Sequence, residues 1–430
     1  MLKMRTIGKH NWIQKLIFMC SFLACMVPRY ISTFKIPLGI YISLYTVLVV
    51  LVWLVYIRKI RFYKKIESCI FGIWFLFVIL SAWRAQRIGV WLYYVDWTLT
   101  AILFSQILYF SDKSKLFDNI INALLLGLFI HLIIGLYEVS AHRYLFAVGD
   151  FGRRYYGTTA ISIFHNPNDY VTFVITMLPF SLYVLNRTKR GIVRIVQVFI
   201  IIASVYLVIK SESRGGFLSL VLLALTMGVL YYKKSDKNKV IIISLSALSI
   251  ILAFSITPIR SYLFGLYSLN RVDSDGVDIA RVNLIKNGFY FLKQTYGFGV
   301  GAGNLIVWLT EKSIYSIGKL GLMHNWYMEI LVTFGVFFFA VYCAYHLKII
   351  FRLLGMFDRK DEFWNLNNTF LASFICFSLV SISSSSNVYS EWMWMYLVLV
   401  STYVMFNCSG KKVQMPIRRN SSIMHTGGLI

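Results

Sequence analysis

Charge is scarce in this chain, and negative charge scarcer than positive. Asp and Glu together number 18 in 430 residues, and all charged residues make up 14%. A water-soluble domain carries about 25% charged and roughly 45–50% apolar residues. Here hydrophobic residues reach 58%, and mean hydropathy is +0.68. That leaves too little polar surface to cover a soluble globule, so lipid must solvate much of the chain.

Other absences narrow the function. The six cysteines (Cys20, Cys25, Cys69, Cys343, Cys376 and Cys408) form no C-x-x-C pair and lie in or beside apolar runs. They read as small buried hydrophobes, neither a disulfide framework nor a metal site. No H-x-x-x-H or His/Cys pairing suggests a metal. No G-x-x-x-x-G-K-[ST] P-loop occurs, and the basic loops are too short for a nucleotide-binding domain. The expectation is chemistry without metal, cofactor or ATP. The basic, apolar N-terminus shows no small-residue cleavage site and is followed by many further apolar runs, so it reads as a first span instead of a signal peptide. No internal repeat argues for inverted-repeat transporter symmetry.

What is present is a series of apolar runs of spanning length, about 17–25 residues. About twelve can be drawn, at roughly 14–33, 36–57, 67–83, 91–110, 119–139, 168–186, 192–210, 216–232, 240–258, 326–347, 366–386 and 392–408. The expected fold is an all-α polytopic integral membrane protein. Spans one to nine occupy 1–258, an extracytoplasmic loop with short helices occupies 259–325, and spans ten to twelve with a basic tail occupy 326–430. The 43 Lys and Arg give a net charge of +25. In a soluble protein that would suggest nucleic acid; between spans it sets orientation, because cytoplasmic loops gather Lys and Arg. About two-thirds of the basic residues fall in the N-terminal arm, the even-numbered short loops and the tail. Both termini are therefore expected on the cytoplasmic side, with no nucleic-acid partner.

Two loops on the opposite face, roughly 140–167 and 259–325, are longer than a turn requires, and that face as a whole holds isolated arginines against the orientation rule: Arg84, Arg87, Arg143, Arg153, Arg154, Arg214, Arg260, Arg271 and Arg281. A charge inside a span costs about 2.5–3.5 kcal/mol on insertion scales, so such arginines usually have partners. Arg214 sits in Ser211-Glu212-Ser213-Arg214-Gly215-Gly216, a polar break between spans. One reading is a snorkelling turn paired with Glu212. The other is an anion clamp, since guanidinium matches phosphate oxygens bidentately and the glycines let a ligand approach the backbone. Arg281 opens a helix-like stretch and reads as a solvated helix charge near Asp278; alone it decides nothing.

The alternating glycines of Tyr296-Gly297-Phe298-Gly299-Val300-Gly301-Ala302-Gly303-Asn304 lack the strand–turn–helix context of a dinucleotide fold. A tightly turned loop passing close to a substrate fits better. His131 and His346 lie in spans and read as satisfied core residues. His324 precedes Asn325, a natural N-cap, with Glu329 on the same face one turn on. Spacing alone leaves two readings, a capped helix entry with an incidental histidine or a histidine held at the outer surface to take a proton. Asn166-Pro167-Asn168 is ordinary cap chemistry at a span entry.

Taken in order, Asn166-Pro167-Asn168, Ser213-Arg214-Gly215, Arg281 before the glycine cluster, and His324-Asn325 with Glu329 and Gly335 resemble the O-antigen ligase/polymerase superfamily of bacterial membrane glycosyltransferases. The resemblance covers roughly residues 150–340. It implies transfer of an undecaprenyl-diphosphate-linked oligosaccharide to a hydroxyl on the outer face of the cytoplasmic membrane. His324 would act as base, Arg214 and Arg281 would hold the diphosphate, and Asn325, Glu329, Gly299, Gly301 and Asn166 would support them. The His-Asn-x-Tyr-x-Glu form looks more like polymerases of capsule, exopolysaccharide, teichuronic acid or O-antigen than like ligases that pass finished glycan to a lipid or protein acceptor. Implied partners are the lipid-linked glycan, a glycan or lipid acceptor, membrane lipids, and flippase and chain-length regulator proteins. The rival class is a lipid-linked sugar flippase or transporter, which should carry ionisable residues near mid-span. Asp96 and Glu138 lie toward span edges instead.

Overall fold

The computed structural model describes residues 11–26, 34–36, 40–56, 66–111, 113–146, 159–164, 166–211, 213–234, 277–318, 321–357, 365–384, 388 and 390–407. The helices are α1 (Asn11–Met26), α2 (Leu44–Tyr56), α3 (Ile66–Leu80), α4 (Ile88–Phe110), α5 (Lys113–Ala141), α6 (Pro167–Arg187), α7 (Gly191–Lys210) and α8 (Arg214–Lys234). They continue as α9 (Val277–Gln294), α10 (Leu305–Glu311), α11 (Trp326–Gly355), α12 (Leu366–Val380) and α13 (Glu391–Asn407). Among the described residues, five helices are long and apolar enough to cross a membrane: Ile88–Phe110, Leu116–Ala141, Pro167–Arg187, Gly191–Lys210 and Trp326–Gly355. Shorter apolar helices accompany them. The architecture is that of a helical, polytopic membrane protein.

The expected ninth span, with Arg153, Arg154, His165, Arg260 and Arg271, lies outside the described residues. Among the described residues the other apolar runs overlap helices whose ends differ from them by several residues, and one departure is larger. The second run is not helical from residue 36; β1 (Phe34–Ile36) pairs antiparallel with β2 (Ile40–Ile42), register Phe34↔Ile42, and α2 starts only at Leu44. The sequence reason is Pro37 with Gly39, which bars a helix from running through.

Helix starts follow local chemistry. Asn166, Asn325 and Asn365 each turn a side-chain oxygen back to a backbone N–H two or three residues on, capping α6, α11 and α12. Pro167 follows at the first position of α6, where its missing N–H costs nothing.

One helix is central. Every residue of α13 from Glu391 to Phe406 is buried, so it is apolar on all sides because it has protein on all sides. Trp74 of α3 joins it to α11, with its ring 4.4 Å from Trp394, 5.1 Å from Phe338 and 5.6 Å from Tyr342. Among the described residues, two separate buried cores result. The large one runs through α1–α8 and α11–α13. A small one, around Leu284, Phe291, Val300, Leu309, Met323 and Val332, joins α9, α10 and the start of α11.

Candidate active site

Three motifs distant in sequence meet at helix ends. Asn166 caps α6 by accepting the Asn168 N–H at 2.7 Å. Ser213 Oγ donates to Asn168 Oδ1 at 2.7 Å, tying the start of α8 to the start of α6. Ser384, just past α12, donates through Oγ to Asp169 Oδ1 at 2.7 Å. The start of α11 comes to the same end of α12, where Trp326 N–H donates to Ser381 O at 3.2 Å and Tyr327 Oη to Ser378 O at 2.8 Å.

Arg214 is the first residue of α8, a position where exposed backbone N–H groups and the helix dipole favour anions. Its side chain, like Glu212, lies outside what the structure describes. The glycines after it have a different use from the one expected. A Cβ on Gly215 would run into the Ser383 side chain and one on Gly216 into Val171. They allow close packing of α8 against α12 and α6, leaving no room for a ligand on those faces.

His324 is held in the left-handed region at φ +48°, which a non-glycine residue adopts only under local constraint. Nδ1 is buried and has no hydrogen-bond partner among the described residues. Burial, and then the nearby positive charge of Arg281, push the imidazole pKa down to about 4. At neutral pH the ring is uncharged, with a lone pair available. The same interaction places Arg281, exposed on the first turns of α9, within electrostatic reach of His324. Asn325 Oδ1 accepts the Met328 N–H at 3.1 Å, and Glu329, next on that face, is buried.

Gly299 and Gly301 take positive φ (+79° and +91°) and face protein, not an open cleft. A Cβ on Gly299 would lie 2.5 Å from Gly335 N; one on Gly301 would lie 3.2 Å from the Ser81 Cβ. Of the remaining ionisable groups, Glu138 at the end of α5 accepts N–H groups of Ile161 (3.0 Å), Ser162 (2.8 Å) and Leu145 (3.4 Å). His131 lies between Ser162 Oγ and Cys25 O, each at 2.9 Å, and is a satisfied core residue. Sequence reasoning gave Asn168 and Ser213 no role beyond their motifs and passed over the serines after α12, although the run Ser381-Ile382-Ser383-Ser384-Ser385-Ser386 stands out between two apolar spans.

The described chain is thus a bundle of apolar helices with polar side chains gathered where α6, α8, α11 and α12 begin or end. The family described as "O-Antigen ligase" matches residues 171–343, the stretch that runs from α6 into α11. Over 352 residues the chain is 26% identical to the "Teichuronic acid biosynthesis protein TuaE" of Bacillus subtilis (strain 168), covering 78% of this chain and 71% of that protein. Over residues 171–343 the chain thus resembles the O-antigen ligase family.

Proposed function

We propose that the protein is a polysaccharide polymerase that joins undecaprenyl-diphosphate-linked repeat units on the outer face of the bacterial cytoplasmic membrane. The observation that carries this reading is His324: buried, uncharged, fixed at a helix entry and within electrostatic reach of Arg281. In the reaction an acceptor hydroxyl attacks the anomeric carbon of the donor glycan. His324 takes the hydroxyl proton as the new glycosidic bond forms. The bond from the anomeric carbon to the diphosphate oxygen breaks, and the leaving diphosphate carries the electron pair away. Its growing charge is met by Arg281 and by Arg214 at the start of α8. The activated carrier supplies the free energy, so the step calls for neither ATP nor metal. A positioned base of this kind contributes typically about 10²–10⁴-fold.

This reading uses twelve spans, cytoplasmic termini and an outer loop between spans nine and ten. Kinship with a protein named for teichuronic acid biosynthesis supports polymer formation over transfer of finished glycan to a lipid or protein. Against a flippase stands Glu138, whose carboxylate is taken up by three backbone amides of its own fold. The direct test supplies purified protein with lipid-linked repeat units alone. Polymerase activity appears as a ladder of lengthening glycan; a product only after a separate lipid or protein acceptor is added identifies a ligase and sinks this proposal.

A further inference from the structure

The meeting of the glycine loop with α11 has a consequence for the reaction. Gly335, at φ +84° and ψ 177°, breaks the helix within an apolar span. Such a break strands the Val332 and Thr333 carbonyls and the Val336 N–H, groups that must find partners inside the protein where lipid offers none. The glycine loop supplies all three. Val300 N–H donates to Val332 O at 2.8 Å, Gly301 N–H to Thr333 O at 2.9 Å, and Val336 N–H to Gly297 O at 2.9 Å. The contact is backbone against backbone: a Cβ on Gly335 would lie 2.5 Å from Phe298 C, and one on Gly299 would lie 2.7 Å from Thr333 O.

The loop's other side is fastened to the connection between α3 and α4. Buried Asn304 accepts the Gln86 N–H at 2.8 Å and donates to Arg84 O at 2.9 Å and Val300 O at 2.8 Å. Ser81 Oγ accepts the Ala302 N–H at 3.2 Å. On the outer side of the break, α9, α10 and the first segment of α11 share the small core. Asn287 of α9 stiffens it by accepting the N–H groups of Ile314 and Tyr315 at 3.0 Å each. Arg281 and His324 both sit on this unit.

We propose that α9, the glycine loop, α10 and the first segment of α11 move and orient as one rigid outer unit carrying Arg281 and His324 together. The glycine clip against Gly335 sets its angle to the membrane bundle, making Gly299, Gly335 and Asn304 positioning residues for glycan transfer. This rests on the reading of His324 as base and Arg281 as clamp. A small misplacement of a reacting group can cost about 10²-fold, so a clip that admits no side chain is a sensitive place to perturb.

The test uses full-length protein and lipid-linked repeat units extracted from a deletion strain, with elongation followed across pH. Gly299→Ala and Gly335→Ala are expected to lower turnover at least about tenfold. They are also expected to move the acid limb of the pH profile upward, toward the ordinary histidine value, as the tilted unit uncovers His324. A purely structural defect would reduce the amount of active enzyme without moving that limb. Gly318→Ala is the matched control: φ is also positive (+59°) but nothing lies within 4 Å of its Cβ, so parental turnover and limb are expected. Should the clip variants not assemble, Asn304→Ala cuts the clip from the α3–α4 connection without adding an atom, and the same limb shift is expected. Parental turnover and an unmoved limb in the clip variants, or in Asn304→Ala where those do not assemble, overturn the inference. His324→Asn in the same assay separates the layers: if it elongates normally, the general-base reading falls; if it is inactive while the clip variants are normal, only the positioning inference falls.

Discussion

Ser213 Oγ donates to Asn168 Oδ1 at 2.7 Å, and through this bond the residue before Arg214 is fixed to the first turn of α6. The register of the proposed diphosphate clamp therefore depends on a neutral hydrogen bond between two residues that bind no substrate in this reading. Such a bond contributes about 0.5–1.5 kcal/mol net. Ser213→Ala and Asn168→Leu are expected to lower elongation several-fold with the protein still assembled, while Asn168→Asp, which keeps the accepting oxygen, retains more activity than Asn168→Leu. Equal activity in all three would show that this bond does not set the clamp.

Substitution of His324 is best made with Asn, which tolerates the left-handed backbone found there at φ +48°. Loss of the base should slow elongation about 10²–10⁴-fold with the protein still in the membrane. Glycan length in cells carrying His324→Asn reports this directly, and parental chain length would remove His324 from the reaction.

The pH profile follows from the imidazole. Only the uncharged ring can accept the proton, so activity stays level through the neutral range and falls as pH drops through about 4. Arg281 contributes to that lowering, and removing its charge should raise the value. In Arg281→Gln the acid limb is expected at higher pH than in the parent, alongside a loss of rate. The stability effect has the same sign. The unfolded state takes up the proton first, so stability contributed above about 6.5 is lost as pH falls toward 4, on the order of 3 kcal/mol.

Arg214→Lys keeps the positive charge but replaces a planar fork by a single point donor. If the side chain grips two diphosphate oxygens, turnover with lipid-linked substrate should fall at least tenfold, a difference of about 1.4 kcal/mol. Unchanged turnover places Arg214 outside the clamp.

Glu138 is expected to matter for stability. Its carboxylate gathers the Ile161, Ser162 and Leu145 amides into the end of α5, and charge-assisted bonds of this type contribute about 1.5–3 kcal/mol each. Glu138→Leu should lower the melting temperature of the purified protein, with any remaining folded enzyme keeping its pH profile. A parental melting temperature would show that those bonds are not needed.

Much of the fold was legible in advance because lipid imposes one strong rule: backbone groups must bond within the segment, so apolar runs of sufficient length become helices. Runs such as 91–110 and 192–210 coincide with α4 and α7 almost residue for residue. The hairpin before α2 escaped because apolar composition outweighed Pro37 and Gly39. At the site, the types of residue were visible but several uses were not. The glycines after Arg214 looked like ligand access and are packing surfaces against Ser383 and Val171. The alternating glycines looked like a loop shaped for substrate and are a clip on a broken helix.

By itself, the sequence determined the helical membrane class, the helix starts at Asn166 and Asn325, and the positions of the isolated arginines. Hydropathy, capping and charge are local properties and are written residue by residue. Tertiary structure decided which helix lies at the centre, which motifs meet through Asn168, Ser213 and Ser381, and how the break at Gly335 is made good. Those depend on groups far apart in the chain finding one another, and no local pattern records which donor will reach which acceptor.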